Sequence, residues 1–122
     1  MNGLHIDITE GRTAFAPGEV IEGSVGWQLD APAMQVELRL CWFTKGRGTQ
    51  DVAVVDSLTF DHPASAETRP FRFTLPPEPY SFFGELIALV WALELVALPS
   101  RENTRIELVI GPHGQEVRLH PG

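Results

Sequence analysis

The sequence has one cysteine, one lysine and no long apolar run, and each scarcity removes a class of function. Cys41 alone cannot form an intrachain disulfide or a thiolate-rich zinc or iron–sulfur site, and it suits a reducing compartment. Lys45 is the sole lysine, and nine basic residues face sixteen acidic ones, giving a net charge of -7. Such a surface repels phosphate backbones and anionic lipid head groups, so nucleic acid is a poor partner and no polybasic anchor exists. The longest apolar run, Leu86 to Leu93, falls far short of the ~20 residues of a membrane helix. The opening Met1-Asn2-Gly3-Leu4-His5-Ile6-Asp7 lacks the charged and apolar regions of a signal peptide. The expectation is a soluble, cytoplasmic protein.

Catalytic signatures are equally scarce. Ser24, in Glu22-Gly23-Ser24-Val25-Gly26, misses the nucleophile elbow by one residue and sits mid-strand. Ser81 follows a tyrosine and has no neighbouring base. Cys41 alternates with the core residues of its strand and reads as a packed or face-exposed thiol. His5, His62, His113 and His120 do not pair at metal-ligand spacing, and His5 beside Asp7 reads as a surface group. No catalytic, metal or cofactor residue is assigned, and no cofactor is expected.

What the 122 residues do contain is a globular composition, 43% apolar and 20% charged, of the size of one domain over residues 1–122. The dominant period is two. Leu4, Ile6 and Ile8 alternate with His5 and Asp7; Ile21, Val25, Trp27 and Leu29 with Glu22, Ser24, Gly26 and Gln28. Val36, Leu38, Leu40 and Trp42 alternate with Glu37, Arg39, Cys41 and Phe43. Phe71, Phe73 and Leu75, and later Ile106, Leu108 and Ile110, continue the pattern. Alternation means strands with one buried face. Between the runs lie turn residues: Ala16-Pro17-Gly18-Glu19, Asp30-Ala31-Pro32, the loop Lys45 to Gln50, Asp61-His62-Pro63 and Pro76-Pro77-Glu78-Pro79. Seven or eight strands at about ten-residue spacing indicate an all-β antiparallel sandwich.

Two segments resist the pattern. Between Asp51 and Phe60, Asp56 shares the phase of Val54, Leu58 and Phe60, which a bulge or an edge position would excuse. Glu85 to Leu98 is rich in Ala, Leu and Glu and alone scores as helix, yet its apolar residues lie on all sides, as in a buried helix or a doubly buried strand. As a strand it would be long, and a bend, a bulge or an overhang is expected.

Four residues are candidates for touching a partner. Lys45 and Arg47 put two basic groups in one loop of an acidic protein, suited to a small anion or an acidic peptide, against the alternative of a solvated hairpin tip. Tyr80 and Phe82 belong to an aromatic cluster, most of which should pack the core, while an exposed subset could anchor a partner.

These residues, in order, resemble a known family. Phe15-Ala16-Pro17-Gly18-Glu19 precedes Ile21-Glu22-Gly23-Ser24-Val25. Leu38-Arg39-Leu40-Cys41-Trp42 follows. Phe71-Arg72-Phe73-Thr74-Leu75-Pro76 then leads through Pro79-Tyr80-Ser81-Phe82-Phe83-Gly84 into Leu86 to Trp91. The order resembles the arrestin N-terminal-like domain, including the arrestin-like retromer subunit and bacterial sporulation-control proteins, over about residues 4 to 110. The resemblance implies an immunoglobulin-like β-sandwich in which Glu85 to Ala97 is strand. It also implies a non-enzymatic adaptor or scaffold that binds a protein partner through strand edges and loops. The sequence departs from typical arrestins in holding one such domain and in lacking a basic, phosphate-sensing first strand. A self-assembling structural subunit is the alternative, and a small metal-dependent hydrolase a distant third.

Overall fold

The computed structural model describes residues 3–31, 33–46, 50–84 and 86–118. Ten strands run in chain order: β1 (Gly3–Ile8), β2 (Ala14–Phe15), β3 (Val20–Gln28), β4 (Gln35–Gly46), β5 (Val52–Asp61), β6 (Ala66–Thr74), β7 (Phe82–Phe83), β8 (Ile87–Leu98), β9 (Asn103–Ile110) and β10 (Val117–Arg118). Two short 3-10 turns, Thr9–Gly11 and Pro112–Gly114, are the helical pieces among the described residues.

The strands form two layers. The smaller sheet has the order β1-β3-β6. In the larger sheet β8 lies between β4 on one side and β7 and β9 on the other, with β5 outside β4. All pairings of the long strands are antiparallel. Two two-residue pieces pair in parallel, β2 with β9 and β10 with β7. This departs from a wholly antiparallel sandwich. These pieces are stretches of connecting chain held beside the sheet; β2 is fixed because Phe15 is buried in the core.

The alternating residues fill the space between the layers. Ile6 and Ile8 from β1, Ile21, Val25 and Trp27 from β3, and Phe71 and Phe73 from β6 face Val36, Leu38 and Leu40 from β4, with Leu108 and Ile110 from β9. Both buried indoles find acceptors: Trp27 Nε1 donates to the Ala64 carbonyl at 2.9 Å and Trp91 Nε1 to the Pro79 carbonyl at 2.9 Å. The expected Pro-Gly turn forms as well. Gly18 adopts φ 81°, as the second central position of such a turn requires, and the Glu19 N–H donates to the Ala16 carbonyl at 3.2 Å.

Ile87–Leu98 is a twelve-residue strand, not a helix. Leu89, Trp91, Leu93, Leu95 and Ala97 point into the core and Ala92 and Val96 are buried on the opposite face. Helix preference for Ala, Leu and Glu is worth a few tenths of a kcal/mol per residue. Burying each large apolar side chain is worth about 2 kcal/mol, so packing on both faces decides the matter.

Asp56 is accommodated by both devices expected of it. β5 has no outer neighbour among the described residues, and the β4/β5 register shifts between Leu40 and Cys41. Leu40 faces Asp56 while Cys41 faces Val54, which leaves Val55 as the extra residue of a bulge. Beyond it the phase of β5 is reversed. Leu58 and Phe60 lie opposite Leu38 and Val36 and pack on the core, whereas Val52 and Val54 lie opposite Phe43 and Cys41, on the outer face.

The smaller sheet ends in two edge strands, β1 and β6. Pro70, which has no N–H to donate, sits mid-strand in β6, an edge strand being where a sheet tolerates proline. Arg69 and Glu67 oppose Val25 and Trp27 and so stand on the inner side of β6 at the rim of the sandwich. The Arg69 guanidinium lies over the Phe60 ring, 5.3 Å from its centroid. Inward-pointing charges, proline and a bulge are the means by which sheet edges resist pairing with another chain.

Candidate interaction surface

The outer face of the larger sheet is the candidate site. Its rows follow from the registers. Val54, Cys41, Ala92 and Glu107 form one row across β5, β4, β8 and β9; Ser57, Arg39, Glu94 and Arg105 form a second. Phe43, next to Val52 on one side and Val90 on the other, lies in a third. The curl of the sheet makes this face a concavity of about 500 Å³, with Cys41, Phe43, Val52 and Val54 as its apolar part and Arg39, Lys45 and Arg105 as its cations.

A sheet face turned away from the core is normally polar. Here Val52 and Val54 are 68% and 55% exposed. Phe43 is covered by two cations: Arg105 Cζ lies 4.8 Å and Lys45 Nζ 5.6 Å from its ring centroid. Most of the charges pair with one another. Arg39 bridges Glu37 at 3.1 Å and Glu94 at 3.4 Å, and both carboxylates raise its pKa, Glu37 more strongly through its hydrogen bond. Lys45 Nζ reaches Glu107 at 3.3 Å. Cys41 Sγ donates to the Ala92 carbonyl at 3.6 Å, and burial pushes its thiol pKa up, with Glu94 adding to the effect. A buried, protonated thiol is a poor nucleophile.

The sequence candidates are dispersed. Lys45 stands on this face. Arg47 lies outside the described residues. Tyr80 is 40% exposed and follows the cis Glu78–Pro79 peptide. Phe82 is half-buried, opposite Leu89, and packs on the core; its neighbour Phe83 is the exposed aromatic, opposite Ala88, which in turn lies opposite Lys45. Phe43, Arg105, Val52 and Val54 were missed. The available signal was the outward phase of β4, where Cys41 and Phe43 put apolar groups on a face expected to be wet.

The other polar candidates have structural occupations. The Ser81 hydroxyl is buried and accepts the Ile110 N–H at 2.9 Å, while Ser81 N–H donates to the Ile110 carbonyl at 2.7 Å. His5 is exposed beside Asp7 at 3.8 Å; His62 and His113 take left-handed backbone conformations in turns; His120 lies outside the described residues. Among the described residues no three His, Cys, Asp or Glu side chains converge as metal ligands would, and no helix is long and apolar enough to cross a membrane.

No protein-family model matches the chain, and no curated protein does. Among solved structures it is similar to Spo0M, a sporulation control protein from Bacillus subtilis, with a TM-score of 0.60 and 17% identity over 92% of this chain. The fold is arrestin-like. The chain spans half the length of the Spo0M chain. The arrestin-like assignment agrees with the strand at Ile87–Leu98 and with seven strands of six residues or more.

Proposed function

We propose that this chain is a non-catalytic adaptor or scaffold domain, a single folding unit over residues 1–122 that docks a protein partner on the outer face of its larger sheet. The observation that carries this reading is the placement of Val52 and Val54. The bulge at Val55 turns two large apolar side chains away from the core and sets them beside Phe43 in a concavity. Exposed apolar groups grouped in a hollow are the usual mark of a docking surface. The occupied roles of Ser81 and the raised pKa of Cys41 speak against nucleophilic chemistry, and a cytoplasmic setting would keep Cys41 a thiol.

Edge-to-edge self-assembly is the less favoured reading. Asp56 and the bulge obstruct the β5 edge, and Pro70 obstructs the β6 edge. Affinity capture from lysate with the wild type and with the Val52→Asp/Val54→Asp double variant tests the proposal. The wild type should retain a reproducible partner that the variant loses without a change in melting temperature. Equal retention by both, or no partner for either, would refute it.

A further inference from the structure

We infer that the concavity recognises an acidic peptide segment, its carboxylate held by Arg105 and a neighbouring large apolar side chain resting on Val52 and Val54. The inference rests on the docking reading above and adds the partner's chemistry. Three of the nine basic residues, Arg39, Lys45 and Arg105, stand on this one face of a chain with net charge -7. Arg39 is committed to Glu37 and Glu94, and Lys45 to Glu107. Arg105 lies cross-strand from Glu94 but makes no ion pair within 4 Å among the described residues. Its guanidinium is instead held over the Phe43 ring. A guanidinium fixed on an aromatic ring keeps its donors free for a carboxylate, which it binds in a planar fork.

The spacing suits an extended segment. The guanidinium sits over β4, and Val52 and Val54 lie on the adjacent strand, about 5 Å away in the pairing direction. Side chains two residues apart on an extended peptide project to one side about 7 Å apart. A carboxylate and a large apolar group at that interval reach both halves of the hollow. What selects a carboxylate is local, the uncommitted Arg105 beside Val52 and Val54, and a second copy of this chain is the competing occupant that the sedimentation arm below separates. Nucleic acid is disfavoured because Arg39 and Lys45 are already paired, and one remaining guanidinium on this face does not match a run of phosphates.

The test is a titration of the isotope-labelled full chain, followed by amide chemical shifts, with an acetylated and amidated peptide in which leucine and glutamate alternate with serine. A glutamine version removes the side-chain carboxylates. A glutamine version with a free C-terminus asks whether a terminal carboxylate serves equally. Shifts should concentrate on Phe43, Val52, Val54 and Arg105. The glutamate peptide should bind at least about fivefold more tightly than the capped glutamine peptide. Arg105→Gln should erase that preference, and Arg105→Lys should restore part of it. Raising salt from about 50 to 300 mM should weaken the glutamate peptide selectively. Equal binding of glutamate and capped glutamine peptides, insensitivity to Arg105→Gln, shifts on another face, or no shift by about 5 mM peptide would overturn the inference. If that happens while Val52→Asp/Val54→Asp still abolishes partner capture, the docking reading stands and only the acidic specificity falls. If capture also survives the double variant, both fall. Dimer formation in sedimentation that Val54→Asp abolishes would assign the face to a second copy instead.

Discussion

Arg105 of β9 places its guanidinium carbon 4.8 Å from the centroid of the Phe43 ring on β4, reaching across β8 to do so. Neither residue belongs to the core, and each is in place because β8 holds its two neighbours at fixed register. The contact therefore reports on the central strand as well as on the outer face. A cation–π contact at a partly exposed site is worth about 0.5–1 kcal/mol. Arg105→Ala should lower unfolding free energy by no more than about 1 kcal/mol in denaturant titration. A loss above about 2 kcal/mol would mean that Arg105 has a structural role beyond this stack.

Trp91 is the residue on which β8 depends most. It is fully buried, lies opposite Trp42 and Leu108, and donates to the Pro79 carbonyl. Trp91→Ala should cost about 3–5 kcal/mol, with loss of near-ultraviolet dichroism signal at physiological temperature. A cost below about 1 kcal/mol would contradict its placement in the core.

Two glycines of β3 should respond differently to the same substitution. A Cβ at Gly23 would run into the Asp7 carbonyl and the Ile8 backbone of β1, and backbone cannot swing aside. At Gly26 the obstacle is the imidazole of His5, an exposed side chain free to move. Gly23→Ala should destabilise by about 1–3 kcal/mol and Gly26→Ala by less than about 1. Thermal unfolding of the pair checks this; equal effects would contradict the β1–β3 register.

Glu19 gives the fold a calculable response to acid. Its carboxylate meets Arg12 at 2.6 Å and accepts the Ala16 N–H at 2.9 Å. The Arg12 hydrogen bond, then the Ala16 bond, hold its pKa below the usual glutamate range. A depressed folded-state pKa adds stability that is complete above the unfolded value and is lost as pH falls through the folded one. Glu19→Gln should therefore melt below the wild type at neutral pH, and the gap should close as pH falls through the lowered folded-state value, beneath the usual glutamate range. A gap independent of pH would place the Glu19 contribution elsewhere.

Much of this arrangement was legible in the sequence, for a physical reason. Each layer has one dry face, so Ile6, Val25, Leu38 and Phe73 declare their side by alternation. Ile87–Leu98 was not legible from propensity, because its two buried faces erase alternation; only the resemblance to arrestin-like chains pointed to strand. The site was harder. Val54 shares a sequence phase with Leu58, and only the extra residue at Val55 sends them to opposite faces. Phe82 and Phe83 lie on a two-residue strand, too short for a phase to be read. Arg105 meets Phe43 across 62 residues of chain, a relationship set by pairing register alone.

Docking on the outer face is tested most directly by site-specific photocrosslinking in cells with a photoreactive residue at position 54, on the concavity, or at position 72, an exposed position on the β6 edge strand. A discrete protein adduct is expected from position 54, diminished by Arg105→Gln, and none from position 72. Adducts from position 72 alone, or none from position 54, would contradict docking on this face.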